Sequence, residues 1–122
     1  MSDPTVLPFS HDHTPVGGLD RRVAVRYPGN PDASCQAITS PAGILPAWVR
    51  DISAVGVALL INREFSAGTV LTIELSNPVQ GVACLLRARV VHTLELPPDG
   101  RWLHGCAFER TLTDQELQAF AD

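Results

Sequence analysis

The sequence predicts a mainly all-β domain that ends in one short α-helix. Apolar residues recur in short alternating or continuous runs, Gly- and Pro-rich turns separate these runs, and a helix-capping pattern stands near the C-terminus. Five or six strands at this spacing form either an antiparallel barrel or a compact sandwich. The length of 122 residues and the apolar fraction of 45% fit one domain with one core.

The strand predictions rest on hydrophobic periodicity. Residues 69–75 alternate most clearly, with Leu71, Ile73 and Leu75 on one face. Trp48 is predicted to anchor the core from a neighbouring strand. The predicted strands are residues 34–38, 47–53, 57–61, 69–75, 82–96 and 101–109. The turn-rich segment between Tyr27 and Pro46 leaves its remaining strand content open.

The chain closes with a helix of eight or nine residues. Thr113 and Glu116 have the spacing of a capping box, in which each side chain satisfies an unpaired backbone amide of the other residue. Leu117, Phe120 and Ala121 follow on one side. Because so short a helix is marginal alone, we expect this side to dock on the strands.

We expect residues 1–18 to form a flexible N-terminal arm and residues 19–122 to form the domain, with no internal repeat. The arm carries His11 and His13, which could bind a metal ion if extended. No third ligand lies nearby in the sequence, so no metal site is predicted.

The composition indicates a cytoplasmic protein. No apolar run approaches the length of a membrane span, and no basic segment followed by an apolar core marks a signal peptide. Cys35, Cys84 and Cys106 are odd in number and lack CxxC spacing, so we predict reduced, mostly buried thiols.

An arginine cluster in residues 20–26 is the first candidate binding element. Arg21, Arg22 and Arg26 are three of the nine basic residues, and the chain contains no lysine. A guanidinium is planar and permanently charged, and its fork of donors matches a phosphate or the O6/N7 edge of guanine. The alternative interpretation is a solvated basic turn.

The second candidate element is the segment from Asp51 to Gly56. Asp51 and Ser53 are two residues apart, so an extended strand points both side chains to one face. Together they offer a carboxylate and a hydroxyl, and Gly56 permits a tight turn or a close approach to a ligand. The alternative interpretation is a strand that ends in a polar turn.

Taken together, the RRxxxR and DxSxxG patterns resemble the PilZ domain family over about residues 19–122. Residues 88–92 look like that family's long central strand, and residues 103–108 look like its closing strand. One departure is Val55, where many members have a second glycine before the last glycine of the motif. The resemblance implies a six-stranded antiparallel barrel that binds the bacterial second messenger cyclic di-GMP.

The resemblance also implies roles for individual residues. The arginine segment would be a mobile loop that folds over the ligand, with Arg22 and Arg26 on phosphates and guanine edges. Asp51 and Ser53, on the barrel surface, would contact guanine, and Gly56 would give clearance. The adjacent Arg21 is similar to a variant that favours an intercalated ligand dimer. Binding would reorder a surface for an unidentified protein partner.

Other function classes remain as alternatives. A PilZ-like interaction adaptor that binds no nucleotide is compatible with Val55, although the intact arginine and DxSxxG residues disfavour it. Binding of single-stranded nucleic acid is disfavoured by the net charge of -4 and the aromatic fraction of 6%. No catalytic spacing is present, and His92 and His104 are expected to be core or surface residues on strands. We therefore predict a non-enzymatic protein without a cofactor or metal.

Overall fold

Strands make up most of the chain in this computed structural model, which describes residues 25–39, 43–96 and 100–122. The predicted arm and residues Arg21 and Arg22 lie outside these ranges. Within the described ranges the elements are, in order, β1 (Tyr27–Pro28), β2 (Ser34–Thr39), β3 (Gly43–Ile52), β4 (Gly56–Ile61), β5 (Val70–Asn77), β6 (Val82–Leu96), β7 (Arg101–Phe108) and α1 (Asp114–Phe120).

Six of the strands close into an antiparallel barrel. β3 pairs with β2 and β4, and the pairing continues from β4 through β7, β6 and β5 back to β2. Closure leaves no open sheet edge in this ring. The barrel confirms the fold that the family resemblance implied. β1 lies outside this ring and pairs with the end of β3, with Tyr27 opposite Ile52 and Pro28 opposite Asp51.

The barrel interior holds the main hydrophobic core. Leu71, Ile73 and Leu75 are at most 1% exposed, which confirms the face predicted from their alternation. Phe120 of α1 is fully buried in the same core. Burial of each such side chain stabilises the fold by roughly 1.5–3 kcal/mol.

The terminal helix docks as predicted, and its start is a capping box. The Glu116 amide donates to Thr113 Oγ1 at 3.1 Å, and the Thr113 amide donates to Glu116 Oε1 at 2.9 Å. The buried Asn77 at the end of β5 donates from Nδ2 to the Ala119 carbonyl at 2.7 Å. These bonds fix the short helix to the barrel, which offsets its weak intrinsic stability.

The end of α1 also holds the connection between β1 and β2. The Asn30 amide donates to the Phe120 carbonyl at 2.9 Å, and the Asp122 amide donates to the Pro28 carbonyl at 2.8 Å. Gly29 lies so close to β3 that a Cβ there would stand 2.6 Å from the Val49 carbonyl oxygen. The strand that follows Arg26 is therefore held tightly against β3.

Two sequence predictions are wrong in detail. Trp48 is 47% exposed and is not a core anchor, because the neighbouring Ala47 takes the inward position and Trp48 points outward opposite Leu60. Asn77 lies between the predicted strands 69–75 and 82–96, but it ends β5 and is fully buried.

The cysteine prediction is confirmed. Cys35, Cys84 and Cys106 are free thiols, and two of them, Cys35 and Cys106, are buried. Within the described ranges, no helix has the length and apolar character needed to cross a bilayer.

Candidate functional site

A β-bulge at Arg50 determines which way Asp51 faces. Val49 is opposite Leu59 and Asp51 is opposite Ala58, so Arg50 is an extra residue in β3. Ala47 and Val49 face the core, and strict alternation would turn Asp51 inward as well. The extra residue moves Asp51 to the outer face and returns Ile52 to the core. The bulge thereby avoids the large desolvation penalty of a buried carboxylate.

Arg26 lies directly against Asp51. Arg26 Nε donates to Asp51 Oδ1 at 2.6 Å, and Nη2 contacts the same oxygen. The two side chains are only 14% and 19% exposed. An ion pair this shielded from solvent is stronger than an exposed surface pair, because water screens it less. The last arginine of the RRxxxR segment thus meets the first residue of the DxSxxG segment.

Arg50 is a residue of this cluster that the sequence reasoning missed. Its Nε lies 3.5 Å from Asp51 Oδ2, while Arg26 occupies Oδ1. Asp51 therefore stands between two guanidinium groups. The adjacency of Arg50 and Asp51 is visible in the sequence, but alternation places neighbours on opposite faces, and only the bulge brings both outward.

Ser53 builds the turn between β3 and β4. Its hydroxyl accepts hydrogen bonds from the amides of Val55 at 3.2 Å and Gly56 at 3.1 Å, and its own amide donates to the Gly56 carbonyl at 2.8 Å. Ser53 is fully buried, so the expectation that it lies on the barrel surface is wrong. The physical reason is that a serine hydroxyl after a strand satisfies nearby backbone amides.

The same turn is fixed from its outer side. The Phe108 amide donates to the Val55 carbonyl at 2.9 Å, and the Leu112 amide donates to the Ala54 carbonyl at 2.8 Å. Val55 thus sits in a turn bonded to the end of β7, without any positive φ angle. The valine at the position where many PilZ members have glycine is compatible with the local backbone, and Gly56 begins β4 as a buried residue.

The two buried thiols are poor nucleophiles. Burial raises the pKa of Cys35 and of Cys106 to about 12, so both thiols are protonated at neutral pH. Among residues 25–39, 43–96 and 100–122, no three His, Cys, Asp or Glu side chains gather in a metal-binding group. His11 and His13 lie outside these ranges.

The sequence profile of the PilZ domain matches residues 20–122. The chain belongs to the PilZ domain family. The match begins at the arginine segment and includes the whole barrel and helix, so it contains both candidate binding elements. No curated protein matches the chain.

One solved structure similar to this PilZ domain is described as "Structure of K. pneumonia MrkH-c-di-GMP complex". The two chains are 19% identical and superpose with a TM-score of 0.61. The match covers 81% of this chain and 49% of the other, so this chain spans about half the length of that neighbour. At this identity the likeness shows a shared fold.

Proposed function

We propose that this PilZ domain is a non-catalytic receptor for cyclic di-GMP. The single observation that carries the proposal is the contact between Arg26 and Asp51, which joins the two sequence elements on one outer face of the barrel. Membership of the PilZ family supports the same ligand, and so does the fold shared with the MrkH complex.

The chemistry of the cluster matches that of the ligand. Cyclic di-GMP carries two phosphates and two guanines, and guanidinium groups bind both phosphate and the O6/N7 edge of guanine. Asp51 holds Arg26 by one edge of its guanidinium and so sets the direction of that side chain. Arg21 and Arg22, which belong to the same arginine segment as Arg26, supply further guanidinium groups to the ligand.

The buried turn at Ser53 has a supporting role in this proposal. Ser53 shapes the backbone between Asp51 and Gly56, and it acts on the ligand through their positions. Gly56 leaves room at the start of β4. The reordering of the arginine segment by the ligand then creates the surface that a protein partner recognises.

A calorimetric titration of the purified protein with cyclic di-GMP tests the proposal. We expect saturable binding in the wild type, and affinities about tenfold to a hundredfold weaker in Arg22→Ala and Arg26→Ala, because each loses a charged hydrogen bond. Arg87→Ala is the matched control, since Arg87 is exposed and pairs at 3.5 Å with Glu109 outside the cluster. GTP and cyclic di-AMP serve as ligand controls.

The titration also separates the proposal from its rival. Absence of saturable heat in the wild type would overturn the receptor proposal and favour a PilZ adaptor that works without nucleotide. A stoichiometry of two nucleotides per chain would indicate the intercalated ligand dimer that Arg21 favours.

A further inference from the structure

Trp48 is an exposed aromatic residue on the outer face of the barrel. It is 47% exposed and stands opposite Leu60 of β4. Tryptophan is highly buried on average in folded domains, and it is enriched at interfaces because one part of the indole is apolar and another part is polar. The exposed indole is therefore a candidate contact surface for a ligand.

The indole stands one cross-strand row away from Asp51. Trp48 is opposite Leu60, and Asp51 is opposite Ala58. Leu60 and Ala58 are two residues apart in β4, so the two rows share one face and lie about 7 Å apart along the strands. Directly paired residues point to the same side of a sheet, which places Trp48 and Asp51 on the same outer face. Arg50 lies between them in β3, and its side chain is 38% exposed.

The edge of β3 at Trp48 is open on the side of β1 and β2. β1 pairs with β3 only at Asp51 and Ile52, and the pairing of β2 with β3 ends at Ala47. Among the strands that the structure describes, none pairs with residues 48–50 on this side. The connection from β1 to β2 passes this part of β3 without forming a ladder with it, which leaves a gap.

A cavity of about 500 Å³ fills this gap. Its lining includes Trp48 of β3 and also Gly29 and Pro31 of the connection between β1 and β2. Gly29 follows Pro28, the residue opposite Asp51, so the cavity adjoins both Trp48 and the strand that follows the arginine segment. Its volume lies within the range of small-molecule sites, so there is room beside Trp48 for a planar base.

We propose that Trp48 is a ligand-binding residue on which one guanine ring of cyclic di-GMP stacks, while Arg26 and Arg50 hold the adjoining phosphate. A flat base stacks on an aromatic side chain, and guanidinium groups bind phosphate. The indole and the guanidinium groups share one outer face, so one nucleotide unit can contact both. This inference rests on the proposed function and deepens it, because it assigns a base-stacking residue outside the two sequence motifs.

Two substitutions at Trp48 separate stacking from apolar contact. Trp48→Phe keeps a smaller flat ring, and Trp48→Leu keeps an apolar side chain without a ring. Leu85→Ala is the control, because Leu85 is 61% exposed on β6 and pairs with Glu74, away from β3. Circular dichroism verifies that each variant is folded, and each is titrated with cyclic di-GMP by calorimetry.

We expect Trp48→Leu to bind cyclic di-GMP about fivefold to a hundredfold more weakly, since stacking on one base is lost. Trp48→Phe should lose less affinity, and Leu85→Ala should match the wild type. The factor lost in Trp48→Leu should be the same at low and high salt, whereas the factor lost in Arg26→Ala should shrink at high salt because ions screen a charge contact.

Tryptophan fluorescence reports the contact from the indole itself. The chain contains two tryptophans, so Trp102→Phe leaves Trp48 as the only reporter, and Trp48→Phe leaves Trp102 as the reference. A guanine stacked on an indole quenches its emission. We expect saturable quenching of Trp48 with the Kd that calorimetry gives, and a much smaller change at Trp102.

The two proposals fail in different ways. If the wild type binds, while Trp48→Leu binds equally well or the emission of Trp48 stays constant at saturation, the stacking role is overturned and the receptor proposal stands. If the wild type does not bind cyclic di-GMP, the receptor proposal fails and the role of Trp48 fails with it.

Discussion

Ser53→Ala tests whether this motif serine builds the turn or touches the ligand. The substitution removes the acceptor of two amides, those of Val55 and Gly56, in a fully buried place. An unsatisfied buried amide costs about 1–3 kcal/mol, and the Val55 amide is partly accessible to water. We therefore expect a loss of about 2–3 kcal/mol of unfolding free energy, which lowers Tm by roughly 6–15 °C in a domain of this size.

The assay is thermal unfolding followed by circular dichroism, combined with calorimetric titration at a temperature where the variant is folded. Ser66→Ala is the control, because it makes the same chemical change at an exposed side chain. We expect the folded Ser53→Ala protein to retain measurable affinity for cyclic di-GMP. A wild-type Tm together with abolished binding would refute the turn-building role and make the hydroxyl a direct ligand contact.

Three further predictions concern stability. Burial holds the pKa of His104 below its ordinary value of 6.5, so the unfolded chain takes up the proton first and stability falls as the pH drops below about 6.5. The free energy of unfolding falls by at most about 1.4 kcal/mol per pH unit from this one group. Urea unfolding at pH 7.5 and 5.5 should show this loss of stability, and the His104→Gln variant should lack the contribution. Hydrogen bonds from Arg110 lower the pKa of Glu116 to about 2. The stabilisation that ionised Glu116 gives the folded state is therefore complete above about pH 4.5 and is lost as the pH falls through 2. Glu116→Ala should remove about 1 kcal/mol at pH 7 by chemical denaturation, and an unchanged midpoint would contradict the capping role. Asn77→Ala leaves the Ala119 carbonyl without its buried donor, so we expect the folded state to lose about 1–3 kcal/mol of stability. Hydrogen exchange of the α1 amides should become faster. Exchange rates equal to those of the wild type would argue against Asn77 as an anchor of the helix.

The strands could be predicted because their alternation is strong. The predicted strand 82–96 coincides with β6, and the predicted inward positions of β5 are buried. The capping pattern also gave the helix start, since a short local motif determines it. Trp48 was misassigned because aromatic character favours burial in general, whereas the sheet face depends on register.

The bulges could not be predicted from composition or periodicity. One extra residue at Arg50 or Val91 reverses the faces of all later residues in its strand, and nothing in the local sequence marks it. The outward position of His92 therefore became visible only in the folded barrel. Ser53 was expected on the surface because the predicted strand 47–53 includes it, whereas β3 ends at Ile52 and the chain turns there.

The pairing of Arg26 with Asp51 joins residues 25 positions apart. Charge alone offers many partners for each arginine, so the sequence predicted their proximity only through the family resemblance. The structure supplies the physical reason, because β1 is bonded to β3 opposite Asp51 and Ile52 and thereby brings the preceding arginine to the outer face.

A double-mutant cycle in cyclic di-GMP affinity tests most directly whether Arg26 and Asp51 form one ligand site. Wild type, Arg26→Ala, Asp51→Asn and the double variant are titrated under the same salt and temperature conditions. Because Asp51 positions Arg26, we predict that the double variant binds little more weakly than the weaker single variant. Losses of affinity that simply add, or no loss in either single variant, would contradict the account.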